Sequence, residues 1–157
     1  MNIKKSKLLT LLILMISTIV LTLPVETNAQ WGERQWRRYN RRQVADIIRR
    51  LEVSSNQFRR DFDRWLDNSR LDGSEREDRY NSRVSRYEAA LNGLRSEFDR
   101  RDKWWETREK VKEALDAARP VSQLMRERRI KNALERRWNR MRADLNRLAS
   151  TYQLARV

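Results

Sequence analysis

Two short stretches set arginine beside aromatic rings. In the first, Trp31, Trp36 and Tyr39 interleave with Arg34, Arg37, Arg38, Arg41 and Arg42. In the second, Arg100, Arg101 and Lys103 lead into Trp104 and Trp105. Arginine stays charged at any relevant pH and grips phosphate or carboxylate with a planar fork. Rings interleaved with such cations suit a phosphate-bearing surface or a lipid head-group layer, where apolar bodies and charged tips part between two phases. The chemistry on offer is recognition of anions. The candidate contacts are Trp31, Trp36, Arg37, Arg38, Tyr39, Arg41, Arg42, Arg100, Arg101, Lys103 and Trp104. The same rings could equally plug the open end of a helical fold, and both alternatives stand at this stage.

Other chemistry is ruled out by what the chain lacks. It has no histidine and no cysteine. Zinc, haem and iron–sulfur centres lose their usual ligands, and histidine-based acid–base or nucleophilic arrangements are impossible. The glycines, Gly32, Gly73 and Gly93, form no phosphate-cradling loop. Asp61, Asp63 and Asp67 are spread around the outside of a helix, not gathered in a calcium loop. The expectation is a protein that is not an enzyme and uses no cofactor. Its charge is strongly basic, with 36 Lys+Arg against 22 Asp+Glu and a net +14. Nucleic acid, anionic lipid head groups and acidic polymers are therefore candidate partners, although no sequence-specific nucleic-acid motif occurs. Charges of both signs also interleave along the chain, as they do on a solvated face.

These residues need elements to position them. Lys4, Lys5 and Lys7 precede an apolar run from Leu8 to Leu23, and Thr27-Asn28-Ala29 ends it with small residues at the −3 and −1 positions. That pattern is a secretory signal peptide over residues 1–29. The alternative is an uncleaved anchor, but Pro24 and the cleavage-like end favour removal. The expected mature chain, Gln30–Val157, has no membrane span and is exported to the periplasm, the outer envelope or the medium. Without cysteine, packing alone must hold it together. Residues 30–42 read as a basic aromatic lead-in and 154–157 as a tail.

Between them run four apolar seams. Val44, Leu51, Phe58 and Trp65 recur every seven residues, as do Ile48, Ser55, Phe62 and Ser69, which predicts a helix over about 40–71. Tyr80, Val84, Tyr87, Leu91, Leu94 and Phe98 predict a second over about 75–99. Val111, Ala114, Ala118, Val121 and Met125, with Leu115 and Leu124 alongside, predict a third over about 103–127, capped by Asp102 and kinked or broken near Pro120. Leu134, Trp138, Met141, Leu145, Leu148 and Tyr152 predict a fourth over about 132–152, started by Asn132 and Glu135. The second and fourth seams align at a constant offset of 54. Either a duplicated hairpin or the shared spacing of any two amphipathic helices explains that echo. Between the first two helices, Gly73 can adopt the left-handed conformation that closes a helix, and Ser74 with Glu77 forms a capping box that opens the next.

Helices of this length with short turns predict an all-α, up-down-up-down antiparallel four-helix bundle over residues 43–153. In that topology the first and third turns share one end, and the second turn shares the other with both chain ends. The densest basic run, Arg126–Arg142, holds eight Lys+Arg and two acids. Its start falls near Asp72, Glu75, Glu77 and Asp78, which are expected to offset part of it. The arginine- and tryptophan-rich stretches fall together at the opposite end.

Two segments carry a resemblance. They are Leu51-Glu52-x-Ser54-Ser55-x-x-Phe58 leading into Leu66-Asp67-x-Ser69-Arg70-Leu71-Asp72-Gly73, and Trp138-x-x-Met141-Arg142-x-Asp144-Leu145-Asn146-x-Leu148-Ala149-x-x-Tyr152. They resemble an uncharacterised family of small exported bacterial all-helical proteins, over most of the mature chain and loosely around Pro120. The resemblance implies an exported helical domain and brings no activity or site residues. The expected function is non-enzymatic binding of anionic envelope surfaces or polymers through the basic, aromatic end. The alternative is a chaperone-like or scaffold protein that pairs with other protein chains.

Overall fold

The computed structural model describes residues 39–127, 130 and 133–157. They form four α-helices: α1 (Arg41–Asp67), α2 (Glu75–Arg100), α3 (Arg108–Glu127) and α4 (Ala133–Thr151). A short 3-10 turn, Trp104–Thr107, precedes α3. The fold is all-α, with the four helices packed against one another. α1 packs on α2 and α4, and α3 packs closely on α2 and more sparsely on α4. Ion pairs show the direction of packing. Glu52 meets Arg95 and Arg59 meets Glu88 between α1 and α2. Arg50 meets Asp144 and Asp61 meets Arg137 between α1 and α4. Residue numbers rise on one helix as they fall on the other, so α1 runs opposite to both.

The seams are the core. Every expected seam residue of α2, α3 and α4 is buried, including Tyr80, Leu94, Val121 and Trp138. In α1 the last turn departs from expectation. Leu66 is fully buried, whereas Trp65 and Ser69 are only half-buried. A straight helix drifts by about 20° per seven-residue repeat. By the fourth repeat Leu66 has rotated inward, and Trp65 lies at the core's edge with its ring centre 5.5 Å from that of Phe62.

Helix ends follow local hydrogen bonding. α1 stops at Asp67, short of the expected Leu71. There Asn68 donates from both its backbone N–H and its side-chain amide to the Arg64 carbonyl, and Ser69 Oγ accepts from Leu71 N–H. Such side chains compete with the helix for its own backbone groups. Gly73 adopts φ +70°, as expected. Ser74 Oγ accepts from Glu77 N–H at 3.3 Å, but the Glu77 carboxylate reaches past Ser74 to the Gly73 N–H at 2.7 Å. The reciprocal arm of the expected box therefore closes one residue early.

α3 does not begin near Lys103, and Asp102 is not its cap. Lys103 precedes the 3-10 turn with no side-chain cap, and the α-helix proper starts at Arg108. α3 then runs unbroken through Pro120, so of the two expected alternatives, a kink or a break, the break does not occur. The expected start signal at Asn132 lies outside the described residues. Ile130, in the third turn, is buried. The tail folds back. Gln153 takes φ 54°, Leu154 N–H donates to the Ala149 carbonyl, and Val157 N–H donates to Asn146 Oδ1. This is a Schellman-type close built without glycine.

Candidate functional site

The start of α1, the second turn and the end of α4 meet at one end of the fold. Asn40 opens α1. Its Oδ1 accepts from Gln43 N–H at 2.8 Å, while Gln43 Oε1 accepts from Asn40 N–H at 3.2 Å. This capping box fixes where the helix begins and so where Arg41 projects. Arg41 closes the end of α2, whose last carbonyls have no helical partner. It donates to the carbonyls of Phe98 (2.8 Å), Asp102 (3.1 Å) and Arg101, and its guanidinium carbon lies 4.6 Å from the centre of the Phe98 ring.

The second turn is held as tightly from its other side. Trp104 is buried, with its ring edge-on to Tyr152 at 5.2 Å and to Trp105 at 5.8 Å. Thr107 Oγ1 and the Tyr152 hydroxyl lie 2.8 Å apart, and both reach the Trp104 carbonyl, at 2.7 and 2.9 Å. The Tyr152 phenol is pushed up to about 12, chiefly by burial, against the hydrogen bond to Thr107 and the nearby charge of Arg41.

The candidate contact residues thus divide. Trp31, Trp36, Arg37 and Arg38 lie outside the described residues. Trp104 faces the core, so its ring plugs the end of the bundle and offers no outer face. Arg41 turns donors inward to the turn's carbonyls. Arg100 and Arg101 both bind Glu97, at 2.9 and 2.6 Å, and the hydrogen bond from Arg101 is the main force holding the Glu97 carboxyl below its ordinary range. The Lys103 ammonium stands 5.9 Å from the Trp105 ring centre. Tyr39 and Arg42 are exposed. Glu97, Asp99, Asp102 and Glu106 share this end with those cations. Among the described residues its charge is close to balanced.

The charge is less balanced elsewhere. Among the described residues, no first-turn acid pairs with the basic run at α4, whose Arg128, Arg129 and Lys131 lie outside those residues. Glu75 pairs with Arg79, and Glu77 is taken by the Gly73 N–H. Of the run's described cations only Arg137 finds an acid, and that acid is Asp61 of α1. The carboxylates of Asp67, Asp72 and Glu77 lie within 4.8 Å of one another at the first turn. These three donors fall short of the roughly six to eight oxygens that calcium takes.

Sequence reasoning missed two features of this end of the fold. The Asn40-x-x-Gln43 spacing is a readable capping signature. The Thr107–Tyr152 contact joins residues 45 positions apart and has no local signal. Compared with protein-family models, curated proteins and solved structures, the chain matches none.

Proposed function

We propose that this chain is an exported, non-enzymatic helical module that binds anionic surfaces or polymers. The observation that carries this reading is how the acids are shared. Asp61 holds Arg64 and Arg137, Asp144 holds Arg50 and Arg147, Glu97 holds Arg100 and Arg101, and Asp116 holds Lys112 and Arg119. Even with carboxylates serving two cations each, Arg42, Arg49, Arg83, Arg86, Arg126 and Arg142 have no acid partner among the described residues. Guanidinium groups left this way are open to an external phosphate or carboxylate.

Export rests on the signal-like segment and on the resemblance to small exported proteins. No helix among the described residues is long and apolar enough to cross a membrane. A role in holding unfolded clients or pairing with other chains draws less support, because Tyr39 and Val53 are the exposed large hydrophobic residues of the described part. They supply no continuous apolar face.

The test is binding of Gln30–Val157 to a polyanion and to anionic and neutral vesicles across a salt series. Anionic partners should bind and neutral vesicles should not. Binding should weaken steeply between 0.01 and 0.15 M salt, as the Debye length shrinks from about 30 to about 8 Å. Absence of any anion binding at the lowest salt would remove this function.

A further inference from the structure

Clefts open along α3, and four of the arginines without acid partners border them. Three clefts adjoin around this helix. The first, about 350 Å³, lies between α3 and α4, with Met125 and Trp138 in its lining and Arg126 and Arg142 beside them. The second, about 440 Å³, shares Ser122 and Arg126 with the first and adds Arg119 and Arg156. The third, also about 440 Å³, shares Asp116, Pro120 and Gln123 with the second and is bordered by Arg83 and Arg86 of α2. Because each cleft shares residues with the next, they form one band across the outward face of α3.

We infer that this band is the binding face of the anion-binding function proposed above, and that it takes a linear polyanion, a flexible chain of closely spaced phosphates. Six arginines border it, against the acidic side chains Asp116 and Glu135. Asp116 is already neutralised by Lys112 and Arg119. Arg83, Arg86, Arg126 and Arg142 have no acid partner among the described residues.

Two features favour a linear chain over a flat bilayer or a single small anion. The cations border concave clefts on both sides of a helix, where a planar surface cannot follow them. They also continue from cleft to cleft, so one phosphate meets few of them and a chain meets many. Pro120 contributes by lacking an N–H, which leaves the Asp116 carbonyl without its helical donor on the same face.

The band differs from the second-turn end in charge and in wiring. At that end Arg41 closes a turn, and Arg100 and Arg101 are held by Glu97. An anion drawn to Arg100 or Arg101 must compete with Glu97, whereas at Arg83, Arg86, Arg126 and Arg142 no carboxylate among the described residues competes with it.

The experiment uses Gln30–Val157 and end-labelled long-chain inorganic polyphosphate, with dissociation constants measured from low to moderate salt. One variant carries Arg83→Gln, Arg86→Gln, Arg126→Gln and Arg142→Gln. A control carries the same charge change at Arg42, Arg49, Arg136 and Arg140. The band variant should bind at least about tenfold more weakly, with its salt slope reduced by roughly 0.7 for each phosphate it no longer neutralises. The control should weaken by about threefold or less. Arginine-specific modification of the unaltered protein, read by mass spectrometry, should show Arg126 and Arg142 protected by polyphosphate and Arg42 not. That measurement stands whether or not the band variant folds. Equal weakening of the two variants, with no selective protection, would overturn the band while leaving diffuse anion binding intact. Anionic vesicles competing as strongly as polyphosphate would overturn the linear-chain ligand. No polyphosphate or vesicle binding by the unaltered protein at low salt would instead overturn the parent function.

Discussion

Arg41 and Phe98 lock the first helix to the end of the second. The guanidinium donates to the Phe98 carbonyl at 2.8 Å and lies over the same residue's ring at 4.6 Å. One side chain so joins a helix start to a helix end 57 residues away. It satisfies carbonyls that would otherwise face outward unpaired, and it complements the negative end of the helix dipole.

Removing that group should loosen the second turn. Arg41→Ala is expected to cost about 1.5–3 kcal/mol, the range for hydrogen bonds to charged groups. Arg41→Lys should recover less than half, because a single ammonium cannot span three carbonyls or stack on the ring. Urea melts of the two variants check this, and a Lys variant as stable as the parent would show that charge alone suffices.

Alkaline pH should destabilise the fold through its buried tyrosines. The unfolded chain releases phenol protons near pH 10, while Tyr152 is pushed up to about 12 and Tyr87, fully buried, is raised further. Between those values the folded state binds more protons than the unfolded one, so stability falls as pH rises. The contribution is complete below about pH 10, and each tyrosine should remove about 1.4 kcal/mol per pH unit above it. Tyrosinate absorbance followed together with circular dichroism should show these two phenols ionising only as the helices melt.

The turn at Gly73 should tolerate side-chain bulk but not side-chain stereochemistry. Nothing lies within 4 Å of a Cβ placed there, so the cost of Gly73→Val is the positive φ alone, about 1–2 kcal/mol. Gly73→Asn should cost less, since asparagine visits this region. Ser74→Ala should cost about 1 kcal/mol through its cap. Thermal melts of the three variants should place Gly73→Asn nearest the parent and Gly73→Val farthest from it.

Trp138 should be the costliest truncation. Its ring contacts Phe58 of α1 at 5.5 Å and Tyr87 of α2 at 5.6 Å, so one side chain joins three helices. Trp138→Ala is expected to cost about 3–5 kcal/mol. Against the roughly 5–15 kcal/mol that holds a domain of this size, its melting point should drop far below the parent's. An unchanged melt would mean that the ring makes no such bridge.

The helices and nearly all of their buried faces were legible in the residue order, because helical periodicity is written into neighbouring positions. Val84, Leu91 and Phe98 must share a face whatever they pack against. Gly73 and Ser74 were legible for the same reason, since positive φ and N-capping are local properties. The phase at Leu66 was less legible, because a small drift per turn accumulates over a long helix. What each charge and ring is for emerged only when the helices came together. Arg41 reads in sequence as one more surface cation, and it became a turn lock because the end of α2 arrives beside it. Trp104 reads as a candidate surface ring and became core because Tyr152 closes over it. Of the acids expected to quench the basic run of α4, Glu75 and Glu77 are engaged nearer home, and Arg126 and Arg142 stand beside an open cleft. Ion pairing depends on distances between residues far apart in the chain, and no spacing along a single helix encodes them.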